Sequence, residues 1–187
     1  MPSEVLDVPE PELDQLIGEF DSPAHHFGKY RGRVRDNLDP LRRGRLEVLV
    51  PAVLGDVPVW AMPCVPYAGP NLGFYAMPEV GTGVWVEFEA GDVSFPIWSG
   101  CFWNTDDIDS ADADPTVKFF KTKKFTLRVD DGNGEIVIKN DSGSEITLTA
   151  QDILHKSSTV KQEAAGGRKT ELSSASFKVN DGSLEVL

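Results

Sequence analysis

Apolar residues recur with a period of two along most of this chain, and with a helical period only near its start. Phe27 to Arg35, Arg45 to Val53, Val57 to Val65, Gly73 to Met77, Val84 to Glu89 and Phe95 to Asn104 each form a short alternating run, the pattern of half-buried strands. Turn signals separate them: Asn37-Leu38-Asp39-Pro40, Leu54-Gly55-Asp56, Pro66 to Pro70, Glu79 to Gly83, and Ala90-Gly91-Asp92. Strands this short, cut by turns roughly every 8 to 12 positions, predict a small closed barrel or sandwich. Val84, Val86 and Phe88 should point inward, with Trp85, Glu87 and Glu89 outward. The one helical candidate is Glu12 to Phe20, where Leu13, Leu16, Ile17 and Phe20 fall at i, i+3, i+4 and i+7 behind Pro9 and Pro11.

Alternation resumes in the second half: Phe125, Leu127 and Val129, then Ile136 and Ile138, Ile146 and Leu148, Phe177 and Val179, Leu184 and Val186. GEIVIKNDSG from residue 134 is followed directly by SEITLTAQDI, two copies of a short strand and a polar turn. Such a repeat predicts a stacked β-solenoid. Residues 117 to 187 carry few large apolar side chains for their length, and His155 to Ser176, with Ala164-Ala165-Gly166-Gly167, is the poorest stretch. Burial within one chain is too small to offset the entropy of ordering it. Interchain burial and interchain strand ladders are therefore expected.

Charge sharpens the organisation. The net charge is -12, yet residues 1 to 24 hold seven acids and no base, and residues 105 to 115 hold five acids and no base. The rest is close to neutral. These segments delimit an acidic lead (1–25), a first domain (26–104), an acidic connector (105–116) expected to be a solvated hinge, and a second domain (117–187). No apolar run approaches the roughly 20 residues of a membrane helix, and the start of the chain has neither the basic nor the apolar region of a signal peptide. Assembly in the cytoplasm is expected. Cys64 and Cys101 are expected to be free, reduced and buried.

The order GRVRDNLDP at 32–40, GRLEVLVP at 44–51, Trp60, PYAGPNLGFYAMPEVG at 66–81, VWVEFEAGD at 84–92 and FPIWSGCFWN at 95–104 resembles the OB-fold domain of contractile-tail spike proteins. That family includes the baseplate assembly protein V of tailed phages, the tail lysozyme hub and the VgrG spike of type VI secretion. The resemblance implies an all-β chain, a small OB-fold barrel followed by an intertwined trimeric β-helix in which each strand pairs with strands of other chains. Seven or eight strands per chain, about 4.8 Å apart, would make a needle roughly 35 to 40 Å long. It also implies a function: the structural central spike of the baseplate of a phage or phage-like contractile injection system, joining the hub to the membrane-piercing tip. The implied partners are two further copies of the chain, a hub protein below the tail tube, a conical tip protein of the proline-alanine-alanine-arginine (PAAR) type, and, transiently, a target membrane. Hub docking is expected at Leu13, Leu16, Ile17, Phe20, Arg42 and Arg43, and tip docking at Leu184, Val186 and Leu187 of the final strand. Only the short acidic connector stands where the lysozyme hub carries its muramidase, so no enzyme activity is expected.

Candidate chemistry is sparse. His25 and His26 are adjacent with no third ligand at a useful spacing, and His155 lacks the His-x-His pattern with which some of these spikes bind iron. The acids from Asp106 to Asp114 lack the glycine and terminal glutamate of a calcium loop. No metal, cofactor or catalytic residue is expected. The rival function is single-stranded nucleic-acid binding, since Lys29, Arg31, Arg33, Arg35, Arg42, Arg43 and Arg45 cluster on what would be an OB barrel. Only Tyr30 interleaves with that charge as a stacking platform, and the domain lacks a basic excess. A belt that docks on an acidic protein ring accounts for the same arginines.

Overall fold

A computed structural model of the chain describes residues 25–187, which divide into two compact units with the boundary between Thr105 and Asp106. The helical candidate and the docking residues Leu13, Leu16, Ile17 and Phe20 lie outside the described residues.

The first unit is a closed barrel of five strands: β1 (Tyr30–Asp36), β2 (Leu46–Leu49), β3 (Val59–Pro63), β6 (Gly83–Phe88) and β7 (Pro96–Phe102). Their order is β1-β2-β3-β7-β6, with β6 returning to β1; β3 and β7 run parallel and the other pairs antiparallel. Closure removes the open sheet edge. Alternation fills the interior with Val34, Leu46, Val48, Val50, Ala61, Val84, Val86, Phe88 and Trp98, each large side chain contributing about 1.5–3 kcal/mol on burial. Val84, Val86 and Phe88 face inward as expected.

Two expected strands are shorter or absent, for reasons of backbone chemistry. The run from Arg45 ends as a strand at Leu49, because Pro51 has no N–H for a ladder and its fixed φ starts a helix. That helix, α1 (Pro51–Leu54), is one turn closed by the Leu54 N–H on the Val50 carbonyl at 2.8 Å. Residues 74–77 form no strand; the segment instead folds as a hairpin of β4 (Ala68–Gly69) and β5 (Leu72–Gly73), turning at Pro70 and Asn71. A Cβ at Gly73 would lie 2.8 Å from the Tyr67 carbonyl oxygen, so only glycine lets this hairpin close.

The second unit has nine strands among the described residues, all antiparallel to their neighbours. β8 (Val117–Lys121), β9 (Phe125–Asp130), β10 (Glu135–Asn140), β11 (Glu145–Leu148) and β12 (Ile153–Lys156) form one meander. β13 (Thr159–Ala164), β14 (Arg168–Ser173), β15 (Phe177–Val179) and β16 (Leu184–Val186) form another. The expectation that each strand's ladder partner comes from another chain is corrected here: consecutive strands of the same chain pair. Turns this short cannot cross over to a parallel neighbour, so they return as hairpins. The Asn140 side-chain oxygen, for example, accepts N–H bonds from Ser142 and Ser144 at 3.1 and 3.0 Å and folds β10 back onto β11.

A Cβ at Gly83 would fall 2.5 Å from the Phe102 ring, which itself packs on Trp85. Gly83→Ala should therefore destabilise the barrel by about 1–3 kcal/mol, measured by thermal or urea unfolding followed through the buried Trp98.

Candidate assembly surfaces

The basic residues of the barrel are not one free belt. Arg31, Arg33 and Arg35 do project together from β1, but Arg31 stacks over Trp85 and Phe102 at 5.1 and 4.7 Å. Arg35 lies 3.6 Å from Glu47, and Lys29 pairs with Glu87. Arg45 is the most constrained, donating through Nε and Nη2 to Asp39 while lying 5.2 Å over Trp60. Asp39 also accepts the backbone N–H groups of Leu41, Arg43 and Arg45. With its side chain almost fully buried, this carboxylate organises the whole 39–45 turn, and the Arg45 guanidinium, with those N–H groups, holds it far below the usual carboxylate range. Arg33, Arg42 and Arg43 have no acidic side chain in contact among the described residues.

That turn presents Arg42 and Arg43 to an open cleft of about 460 Å³, lined also by Tyr67, Phe74, Tyr75 and Met77 from the 66–77 segment. The Trp98 indole N–H donates to the Gly44 carbonyl at 3.1 Å and anchors the cleft floor to the core. Tyr67, Leu72, Phe74 and Tyr75 are exposed. This apolar rim beside two arginines was missed in the sequence, where the aromatics stand 24 to 33 positions from the arginines; the available signal was the Pro/Gly-rich composition of 66–78.

In the second unit, register decides the surfaces. Across the first meander Phe120, Leu127, Ile138, Ile146 and His155 align in one row, and Lys118, Val129, Ile136, Leu148 and Ile153 in the next. Both rows share a face by strand alternation. The opposite face is mixed: Phe119, Val137 and Leu154 share a row with Arg128 and Thr147, and Arg128 contacts Asp112 at 3.3 Å and Asp130 at 3.1 Å and reaches toward Glu135. The connector is thus not simply solvated, since Asp112 also meets Lys121 at 3.2 Å. In the second meander Val160, Leu172, Phe177 and Val186 make an apolar row. Its reverse carries Lys161, Glu171, Lys178 and Glu185, ion-paired at 3.0 and 3.2 Å. The only buried residues of this unit are Asp130, Thr147 and Ser176, all polar. Its apolar faces are uncovered within one chain.

Residues 30–103 match the family model of the Type VI secretion system/phage-baseplate injector OB domain. Over these residues, within the barrel unit, the chain is similar to that injector OB-domain family. The match supports the baseplate-spike family, related to the VgrG spike, and a general role in the baseplate. No curated protein matches the chain. Among the described residues no helix is long and apolar enough to cross a membrane.

On the barrel Arg42 and Arg43 come together at the cleft, whereas in the second unit Leu184, Val186 and Leu187 lie exposed at the end of β16, Leu187 at 96%. Cys64 and Cys101 are exposed rather than buried, because each falls at a rim, one just past β3 and the other beyond the Gly100 irregularity of β7. Partial desolvation still pushes the Cys101 thiol up, away from the thiolate a nucleophile requires. His25 stacks on Phe27, and His26 packs edge-on against Tyr30 and Phe88.

Asp39 has a folded-state pKa below its unfolded one, so its contribution is present above the ordinary carboxylate value of about 4 and is lost as pH falls through that value and below. The thermal midpoint of the barrel should stay flat from about pH 7 to 5 and drop below about pH 4. Asp39→Asn should lower the midpoint at pH 7 and flatten the acid limb, as followed by circular dichroism across that range.

Proposed function

We propose that this chain is the structural central spike of a baseplate in a phage or phage-like contractile injection system, acting as a homotrimer and without catalysis. The observation that carries this is the pair of largely apolar rows, uncovered within one chain, on a sheet whose other face carries the Arg128 ion pairs. Three such sheets, related by a three-fold axis, cover one another's apolar faces and leave the charged faces in water. The barrels seat on a hub, with Arg42, Arg43 and the acidic lead as docking elements. The second units form the needle, and its end, with Leu184, Val186 and Leu187, receives a tip protein of the PAAR type. Force comes from contraction of the tail. The chain supplies stiffness, through backbone ladders along each wall and apolar packing between walls, while the tip meets the target membrane.

A second reading draws on the cleft. Arginines beside exposed aromatics are what single-stranded nucleic acid uses for backbone contact and base stacking. The ion pairs that engage Lys29, Arg35 and Arg45, and the stacking that engages Arg31, favour protein docking instead.

Light scattering of the full chain should give about three times 20.5 kDa. Leu127→Glu, in the middle of the apolar row, should dissociate the trimer and leave the barrel's unfolding transition in place. A monomer with ordered β structure through residue 187 would defeat the needle.

Docking can be checked on assembled particles. Removing residues 1–22, or introducing Arg42→Glu with Arg43→Glu, should leave a trimer that incorporates poorly onto the hub, and removing residues 183–187 should abolish tip-protein binding only. Labelled single-stranded oligonucleotide should show no shift at low salt; a shift lost with the double arginine variant would favour the second reading.

A further inference from the structure

Two surface hollows of the barrel join into one trough. The first is the cleft beside Arg42 and Arg43. The second, a groove of about 820 Å³, starts beside Glu87 and Glu89 and ends at Arg43. The pairings Glu87–Ile97 and Ile97–Met62 carry it across β6, β7 and β3. Arg43, Pro63, Val65 and Ala68 line both hollows. The mouth of the trough lies where the described residues begin. There the His26 N–H donates to the Gly91 carbonyl at 2.8 Å, and Ala90 and Asp92, on either side of Gly91, line a hollow that shares Glu89 and Phe95 with the groove. Residues 1–24 therefore join the barrel at one end of the trough, and Arg42 and Arg43, which no acid of the described residues engages, stand at the other.

The sequence of that lead matches the trough from end to end. Ser22-Pro23-Ala24, next to the mouth, carries no charge and so meets no repulsion from Glu89 and Asp92. Glu10, Glu12 and Asp14 are far enough back in sequence to meet the arginines. Between these ends Leu13, Leu16, Ile17 and Phe20 form an apolar stripe at helical spacing, the complement of Phe95, Tyr67, Phe74 and Tyr75, which the barrel leaves exposed. A nine-residue helix is about 14 Å long, and four linking residues reach about 14 Å more. The path from β6 through β7 and β3 to β2 is three strand spacings of about 4.8 Å each, well within that reach. A nucleic-acid backbone fits the same trough poorly, because Glu87, Glu89 and Asp92 repel phosphate.

We propose that residues 10–20 of the lead lie along this trough on their own barrel, apolar stripe inward, with Glu10, Glu12 and Asp14 at Arg42 and Arg43, and so cap the cleft. In the spike reading, a hub that takes the two arginines releases the lead, and both docking elements become available together. The cap itself requires neither trimer nor needle. Cys64 is a built-in reporter, since it is exposed and lines the groove, whereas Cys101 is exposed outside it. In the full-length chain iodoacetamide should alkylate Cys64 at least tenfold more slowly than in Ile17→Glu with Phe20→Glu, or in Arg42→Glu with Arg43→Glu, with Cys101 unchanged and each site read by mass spectrometry. Adding Glu12→Arg with Asp14→Arg to the second of these variants should restore the protection, which a misfolded barrel could not do. Leu16→Cys should form a disulfide with Cys64 inside one chain. Equal alkylation of Cys64 in the chain and both variants overturns the inference and leaves the cleft to a partner protein. A disulfide from Leu16→Cys that joins two chains also overturns it, and assigns the trough to the lead of a second copy. Neither result alters the mass by light scattering on which the trimer is judged.

Discussion

The second unit has an apolar face that it cannot cover by itself. Alternation along β8 to β12 sends every large hydrocarbon of the middle row to one side, and the hairpin register stacks those residues into a continuous strip. Exposed contiguous apolar surface of this kind is a partner's surface. Phe120, Leu127, Ile136 and Ile146 remain exposed in the single chain, and the only side chains it buries here are polar. The proposed trimer and needle both rest on this one unmet demand for burial.

The barrel meets the opposite condition. Its five strands close on themselves, so the same alternation that strands the second unit fills a private core around Val34, Leu46, Val48, Val84 and Val86. Having no exposed ladder edge, it offers loops for docking instead. The Asp39–Arg45 pair and the Trp98–Gly44 bond fix the turn that bears Arg42 and Arg43, which makes that site a rigid feature of the scaffold. An OB-like barrel by itself specifies no activity; what it specifies here is a stable scaffold that holds its loops in place.

The polar face of the second unit has a different purpose. Ion pairs such as Lys161–Glu171 and Lys178–Glu185 are exposed, and exposed pairs add little to stability. Their value lies in keeping that face of the second meander charged and wet, so that there the apolar face is the one that seeks a neighbour.

Strand alternation and turn residues were legible in the sequence, because both are local: period two fixes which side chains share a face, and Gly, Pro and Asp fix where the backbone can turn. That sufficed for an all-β chain, for the barrel with Val84, Val86 and Phe88 inside, and for the family resemblance of its turns. Pro51 and Pro70 could have warned that the strands at 45–53 and 73–77 would fail, since proline's missing N–H is equally local. Register and pairing were not legible. Whether a strand pairs with its own chain or another depends on how short turns close in space, and which basic residues remain unpaired depends on acids that arrive from distant strands, as Glu47 does for Arg35 and Glu87 for Lys29. The alignment of His155 with Ile146 and Leu127, and of Arg42 with Tyr75, is likewise a product of register and loop closure. The sequence by itself determined the faces of each strand; only the tertiary structure decided which faces meet, because a strand's period sets direction and its hydrogen-bonded neighbour sets position.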